Sequence, residues 1–265
     1  MRYYEKDDGL MVKMCDTKCN YSFEYQGSKS KLINTPLTEK CYFVLMENFT
    51  NVFGEAGSGK TETVKSLGIA LGRQVIVFNC DESVDYTSIS RMFIGTLSTG
   101  AFASFDEFNR LQFEKLSALS QNIQLIQNAL KDKIKIIEIL DKQVEINFNA
   151  GIFITLNPVG KNYKGRSELP ANVSALFRPF AMGHPDVQLI SELYLFADGF
   201  STSKVLSRII VHVFKASCAI MSSQIHYDWS LRTIKAVLCS AGKLLKDKRN
   251  ANISLTEQEV SVNIF

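Results

Sequence analysis

The octapeptide Gly54-Glu55-Ala56-Gly57-Ser58-Gly59-Lys60-Thr61 constrains this chain more than any other stretch. Its spacing is G-x-x-x-x-G-K-T, and it stands between an apolar run, Phe49–Phe53, and a helical pattern over Thr61–Leu71 that Gly72 stops. The glycines let the backbone curl with its N–H groups pointing inward, and a helix starting near Lys60 adds the positive end of its dipole. Such a loop cradles phosphate. The Lys60 ammonium is expected to reach the outer phosphates of a nucleoside triphosphate, and the Thr61 hydroxyl to ligate Mg²⁺. The candidate nucleotide-binding residues are Gly54, Glu55, Ala56, Gly57, Ser58, Gly59, Lys60, Thr61 and Glu62.

From residue 49 onward, apolar strands alternate with helical patterns. Gln74–Asn79 is an apolar run expected to be buried on both faces, followed by a helix over Tyr86–Leu97. Ala101–Phe105 is a third strand and Gln112–Leu130 a long amphipathic helix. Lys133–Phe148 alternates around a turn near Leu140–Lys142, as a hairpin insertion would. Gly151–Leu156 is a fourth buried strand, Leu169–Phe177 a short helix and Phe180–Met182 a fifth strand. The alternation implies an α/β fold built on a parallel, doubly wound sheet.

Either side of this region the pattern changes. Residues 1–48 read as irregular, with a short strand over Tyr21–Tyr25, a polar turn over Gly27–Lys31 and a helix over Leu37–Asn48. After Pro185 three helical patterns follow, Asp186–Ala197, Ser203–Ser222 and Tyr227–Leu245, which imply a separate helical subdomain. From Lys246 the tail is polar and expected to fray.

Asp106-Glu107 directly follows the third strand. In a parallel sheet that position lies beside the phosphate loop. Asp106 is the candidate Mg²⁺ residue with Thr61, and Glu107 the candidate base that orients and deprotonates the attacking water. Asn157 ends the fourth strand; its amide suits the attacking water or the γ-phosphate, or a simple turn before Pro158. Arg178 fits a finger on a neighbouring subunit's phosphate or a surface arginine. Arg232, in the last helix, fits either a residue folded back over the nucleotide or a solvated one.

Composition narrows the alternatives. With 30 basic and 27 acidic residues, the near-balance gives no reason to expect a nucleic-acid or membrane partner. The charged N-terminus is unlike a secretory signal, no apolar run approaches a membrane span, and the chain reads as soluble and intracellular. Cys80, Cys218 and Cys239 lie in apolar segments and read as small core residues; no cysteine or histidine spacing suggests zinc. His184, His212 and His226 read as packing or surface residues.

Several stretches go beyond a generic phosphate loop. They are GEAGSGKTETVK at 54–65, VFNCDESVDY at 77–86, GAFASFDEFNRL at 100–111, GIFITLNPVGKNYKGRSELPANVSALFRPFAMGHPD at 151–186 and HYDWSLRTIK at 226–235. Together they closely resemble the first AAA+ module of the dynein heavy chain, over roughly residues 20–245. FNCDE, GIFIT-x-NP-x-GK and HYDW are most similar to the cytoplasmic class that drives retrograde intraflagellar transport in cilia.

The resemblance implies a P-loop AAA+ five-stranded sheet with a C-terminal helical lid. It implies the end of the linker over 1–35, the αβ nucleotide-binding subdomain over 36–185, the lid over 186–246 and a polar tail over 247–265. It implies the main ATP hydrolysis site of a six-module ring. Lys60 and Thr61 match the family's phosphate and Mg²⁺ residues, Asp106 and Glu107 its acidic pair, Asn157 its first sensor and Arg232 its second; Arg178 matches the arginine facing the adjacent module. The implied partners are the other AAA+ modules of the same heavy chain, and intermediate and light chains through the rest of it. Microtubules would be reached only through a stalk outside this stretch, and the setting would be cytoplasm, cytoskeleton and cilium.

Two departures stand out: Glu55 where the family usually has proline, and a shortened stretch between Cys41 and Gly54 lacking a glycine-containing segment that helps form the adenine pocket. Both would weaken nucleotide binding, which keeps a non-hydrolysing structural module as the alternative. A GTPase switch is disfavoured, because no Asn-Lys-x-Asp guanine-reading motif follows a strand.

Overall fold

Five parallel strands carry the fold, in the order β10-β4-β9-β6-β5. The computed structural model describes residues 1–6, 9–28, 32–46, 49–159, 166–222, 224, 227 and 229–250. In chain order the strands are β4 (Phe49–Phe53), β5 (Val75–Asn79), β6 (Phe102–Asp106), β9 (Gly151–Leu156) and β10 (Arg178–Ala181). The helices between them are α2 (Lys60–Ala70), α3 (Tyr86–Thr99), α4 (Phe113–Asp132) and the single turn α5 (Ala171–Ser174). The chain crosses from β4 to the far edge at β5, steps back through β6 and β9, and ends on the other side of β4. That reversal leaves the C-terminal ends of β4, β9 and β6 side by side, where open α/β sheets bind ligands.

β9 is buried along its whole length, as its continuous apolar run requires. β5 differs from expectation: it is an edge strand and only partly buried. One side of the sheet packs Phe105, Ile152 and Ile154 against Ile89 and Phe93 of α3 and Leu116, Leu119 and Ile123 of α4. Fully burying side chains of this size contributes about 1.5–3 kcal/mol each before entropy is counted. The other side packs Val52, Phe102 and Phe153 against Val64 and Leu67 of α2 and Cys41 and Leu45 of α1 (Pro36–Leu45). α2 lies so close to β5 that a Cβ on Gly68 would sit 2.1 Å from Val75 Cγ2. A Thr35/Thr38 capping box starts α1.

The hairpin expected over 133–148 is present as β7 (Ile136–Ile139) and β8 (Lys142–Glu145). Leu140 and Asp141 both have positive φ, 52° and 57°, as a two-residue hairpin loop of the primed type demands. Its inward residues Ile137, Ile139 and Val144 join the core beside α3 and α4.

The N-terminal segment corrects the sequence reading. It is not irregular: β1 (Arg2–Lys6), β2 (Gly9–Met14) and β3 (Thr17–Asn20) form an antiparallel meander. Tyr21–Tyr25, expected as a strand, belongs to no sheet. It runs instead along the end of α2, where Ser22 N donates to Leu71 O at 3.1 Å and Glu24 N to Gly72 O at 2.9 Å. Arg73 pins the junction. Its guanidinium donates to Asn149 O at 2.5 Å and Ser22 Oγ at 3.0 Å, and lies 5.0 Å from the centre of the Phe102 ring. The Gly27–Lys31 turn falls partly outside the described residues.

By contact density the chain divides into two units: residues 1–55 with 59–183, and residues 56–58 with those from His184 onward. The second contains α6 (Val187–Asp198), α7 (Ser203–Ile220) and α8 (Leu231–Asn250), around Leu195, Phe200, Leu206, Ile210, Ile234 and Leu238. The fraying expected from Lys246 does not begin there, because α8 continues to Asn250. Residues 251–265 lie outside the described set. Cys218 and Cys239 are exposed, not core as their apolar neighbours suggested; Cys41 and Cys80 are the buried pair. Among the described residues no helix is long and apolar enough to cross a membrane, and no cluster of ligating side chains could hold a metal by itself.

Candidate active site

The loop after β4 begins where Gly54 N donates to Leu156 O at 3.3 Å, which sets it beside the end of β9. Gly57 and Gly59 take positive φ, 78° and 94°, which a side chain would resist. Gly59 caps α2 with no side-chain hydrogen bond, and the N-terminal end of that helix, with its positive dipole, favours an anion there. Thr63 N donates back to Gly59 O at 2.9 Å and fixes the turn.

Lys60 is the first residue of α2 and only 6% exposed. Its ammonium donates to Gly54 O at 2.9 Å, Glu55 O at 2.7 Å and Asn157 Oδ1 at 2.8 Å. These three acceptors match the three N–H bonds of an ammonium. Glu55 is exposed, and Glu62 is exposed and ion-paired with Lys65 at 2.7 Å.

Asn157 is 4% exposed and joins the two halves of the site. Its Nδ2 donates to Glu107 Oε1 at 3.1 Å while Oδ1 accepts from Lys60. Its carbonyl accepts from Asn109 Nδ2 at 3.0 Å. Asn157 is therefore more than a turn residue before Pro158.

Asp106 closes β6, and Glu107 turns the chain into a short 3₁₀ turn, Phe108–Arg110. Glu107 adopts a left-handed backbone, φ 54° and ψ 41°. For a residue with a Cβ this costs on the order of 1 kcal/mol, a kind of strain that clusters at functional sites. Thr155, fully buried in β9, orders both acids: its hydroxyl donates to Asp106 Oδ1 and accepts from Glu107 N at 3.2 Å. Glu107 Oε2 is ion-paired with Arg110 Nε, and Oε1 accepts from Arg166 Nη2 at 3.1 Å.

Five of the residues singled out from sequence thus meet at one end of the sheet: Gly54, Lys60, Asp106, Glu107 and Asn157. Thr61 is the next residue of the same helix. Arg178 is elsewhere: it is the first, exposed residue of edge strand β10, level with Thr50. Arg232 is the second, exposed residue of α8 in the other unit. Sequence reasoning missed Thr155, Arg110 and Arg166. Arg110 lay in the quoted FDEFNR stretch, three residues after Glu107, a spacing that lets one turn bring the two together. Arg166 also lay in a stretch of the resemblance, 151–186, but no spacing tied it to Glu107.

The chemistry of the donor set fits MgATP. Thr61 and Asp106 offer a hydroxyl and a carboxylate, the hard oxygen ligands Mg²⁺ takes. Lys60 and the head of α2 offer positive charge for phosphate.

Comparison with known proteins agrees. Residues 21–263 match the family described as the hydrolytic ATP binding site of the dynein motor region. Cytoplasmic dynein 2 heavy chain 1 of Homo sapiens is 50% identical over 267 aligned residues, 98% of this chain and 6% of the human protein. The proteins of that name from Chlamydomonas reinhardtii and Caenorhabditis elegans are 50% and 45% identical over 100% and 95% of this chain, again 6% of each relative. The chain spans a small fraction of the relatives it matches. It belongs to the family of the dynein motor region's hydrolytic ATP binding site.

Proposed function

We propose that this chain is the ATP-hydrolysing AAA+ module of a dynein heavy chain working in microtubule-based transport, of the ciliary retrograde kind. The observation that carries the reading is the Asn157 amide, which bonds Lys60 on one side and Glu107 on the other. A phosphate-binding cation and a candidate base are held within one side chain's span.

In this reading the triphosphate takes the Lys60 ammonium from the carbonyls of Gly54 and Glu55 and from Asn157 Oδ1. Thr61 and Asp106 would hold Mg²⁺, which offsets negative charge on the transferred phosphoryl group. Glu107 orients a water molecule and accepts its proton. The water oxygen bonds the γ-phosphorus, the bond from that phosphorus to the β–γ bridging oxygen breaks, and ADP and phosphate result. Thr155 keeps Asp106 and Glu107 in register. Arg178, on an outer strand, is suited to a nucleotide held by an adjacent module. Hydrolysis would then drive a linker and, through the ring, a distant stalk. The partners would be the other AAA+ modules and the associated intermediate and light chains. The exposed Glu55 does not favour the non-hydrolysing alternative.

The test is ATP turnover by the intact motor with Arg178→Ala and Lys60→Ala. Loss of turnover with Lys60→Ala supports the reading. Full turnover with Lys60→Ala defeats it. Full turnover with Arg178→Ala defeats the assignment of that residue alone.

A further inference from the structure

Glu107 is held by two arginines of different character. Arg110 is its neighbour three residues on and 42% exposed, so water screens the pair and its contribution is small. Arg166 comes from beyond β9, and its side chain is only 7% exposed. A guanidinium that buried is costly without an anion beside it. Its place is set by the backbone: Ser167 N donates to Asn109 O at 3.0 Å, and Asn109 Nδ2 donates to Asn157 O at 3.0 Å. One residue of the 3₁₀ turn thus fastens the segment bearing Arg166 to the end of β9.

Oε1 of Glu107 therefore has two donors, Asn157 Nδ2 and Arg166 Nη2, both at 3.1 Å. They differ in what phosphate binding does to them. Asn157 is tied through Oδ1 to Lys60, and in the proposed reading that tie would be given up when the ammonium turns to phosphate. Arg166 has no link to Lys60 through Asn157's amide. We propose that Arg166 is a positioning residue, which keeps the Glu107 carboxylate in place when Lys60 leaves Asn157 for the nucleotide. This rests on the reading of Glu107 as the base.

The test measures kcat and KM for ATP in the intact motor. Arg166→Met is expected to lower kcat about ten-fold, less than the ~10²–10⁴-fold range for losing the base itself, with KM nearly unchanged. Arg166→Lys should recover much of that loss, because the contact is a single N–H on Oε1. In a Glu107→Gln background Arg166→Met should lower kcat no further. An unchanged or raised kcat, or a change in KM alone, overturns the proposal. If Arg166→Met does not fold, Arg166→Gln reads the same quantity: lowered kcat at constant KM supports it, and wild-type kcat overturns it. Wild-type turnover in Glu107→Gln alone defeats the underlying reading and this proposal together. Loss there with wild-type kcat in the Arg166 variants defeats only the proposal.

Discussion

Lys60 and Glu107 grip opposite ends of one carboxamide: Lys60 Nζ lies 2.8 Å from Asn157 Oδ1, and Asn157 Nδ2 lies 3.1 Å from Glu107 Oε1. The two charged groups are 47 positions apart in sequence, one at the start of α2 and the other just past the end of β6. Asn157 links them because β9 lies between β4 and β6 in the sheet. Topology, more than local sequence, makes the bridge.

Asn157→Ala should remove that link. Lys60 would lose one of three acceptors and Glu107 one of two donors on Oε1. Turnover by the intact motor is expected to fall by about 10²-fold, comparable with losing one preorganised donor in other active sites. ATP affinity should change far less. Steady-state phosphate release, with KM read from the same curves, checks both.

Thr155→Val, close to isosteric, should be costly without opening a cavity. Asp106 would lose the hydroxyl that donates to it, and the Glu107 amide its acceptor. A buried donor left unmatched costs about 1–3 kcal/mol. The expected result is a lower urea midpoint and a higher Mg²⁺ concentration for half-maximal turnover, measured by titrating Mg²⁺ at fixed ATP.

Cys41 and Cys80 should be silent to alkylation in the folded chain while Cys15, Cys218 and Cys239 react. Burial pushes both buried thiols up to about 12. An unfolded thiol titrates near ~8.5, so between roughly that pH and 12 the unfolded chain releases protons the folded chain keeps. Stability from these groups is full below that window and falls as pH rises through it. Urea midpoints should therefore drop between pH 8 and pH 10. Cys80→Ala and Cys41→Ala should each flatten the drop.

Arg73→Met should loosen the N-terminal meander. The change removes donors to Asn149 O and Ser22 Oγ and the cation over the Phe102 ring. Charged hydrogen bonds of this kind contribute about 1.5–3 kcal/mol each, so a loss of about 3 kcal/mol or more is expected on chemical denaturation. Limited proteolysis should cut near residues 20–26 earlier than in the wild type.

The sheet and the phosphate loop were legible because their signals are local. A glycine-spaced loop between strand and helix, and acids directly after a buried strand, state their own geometry. The meander over 2–20 was not legible: its strands are short and mostly polar, and among their described side chains only Val12 is fully buried. β5 was misread because an apolar run does not say whether a strand is central or at an edge. Thr155 and Arg166 escaped because their roles come from long-range contacts. Thr155 hides inside an apolar strand, and Arg166 meets Glu107 across 59 positions of chain.

Glu107→Gln in the intact motor tests the central claim most directly. The amide keeps the size and the bond from Asn157 Nδ2 to Oε1 while removing the base. ATP should still bind, and phosphate release should fall by about 10²-fold or more. Phosphate release at the wild-type rate would contradict the account.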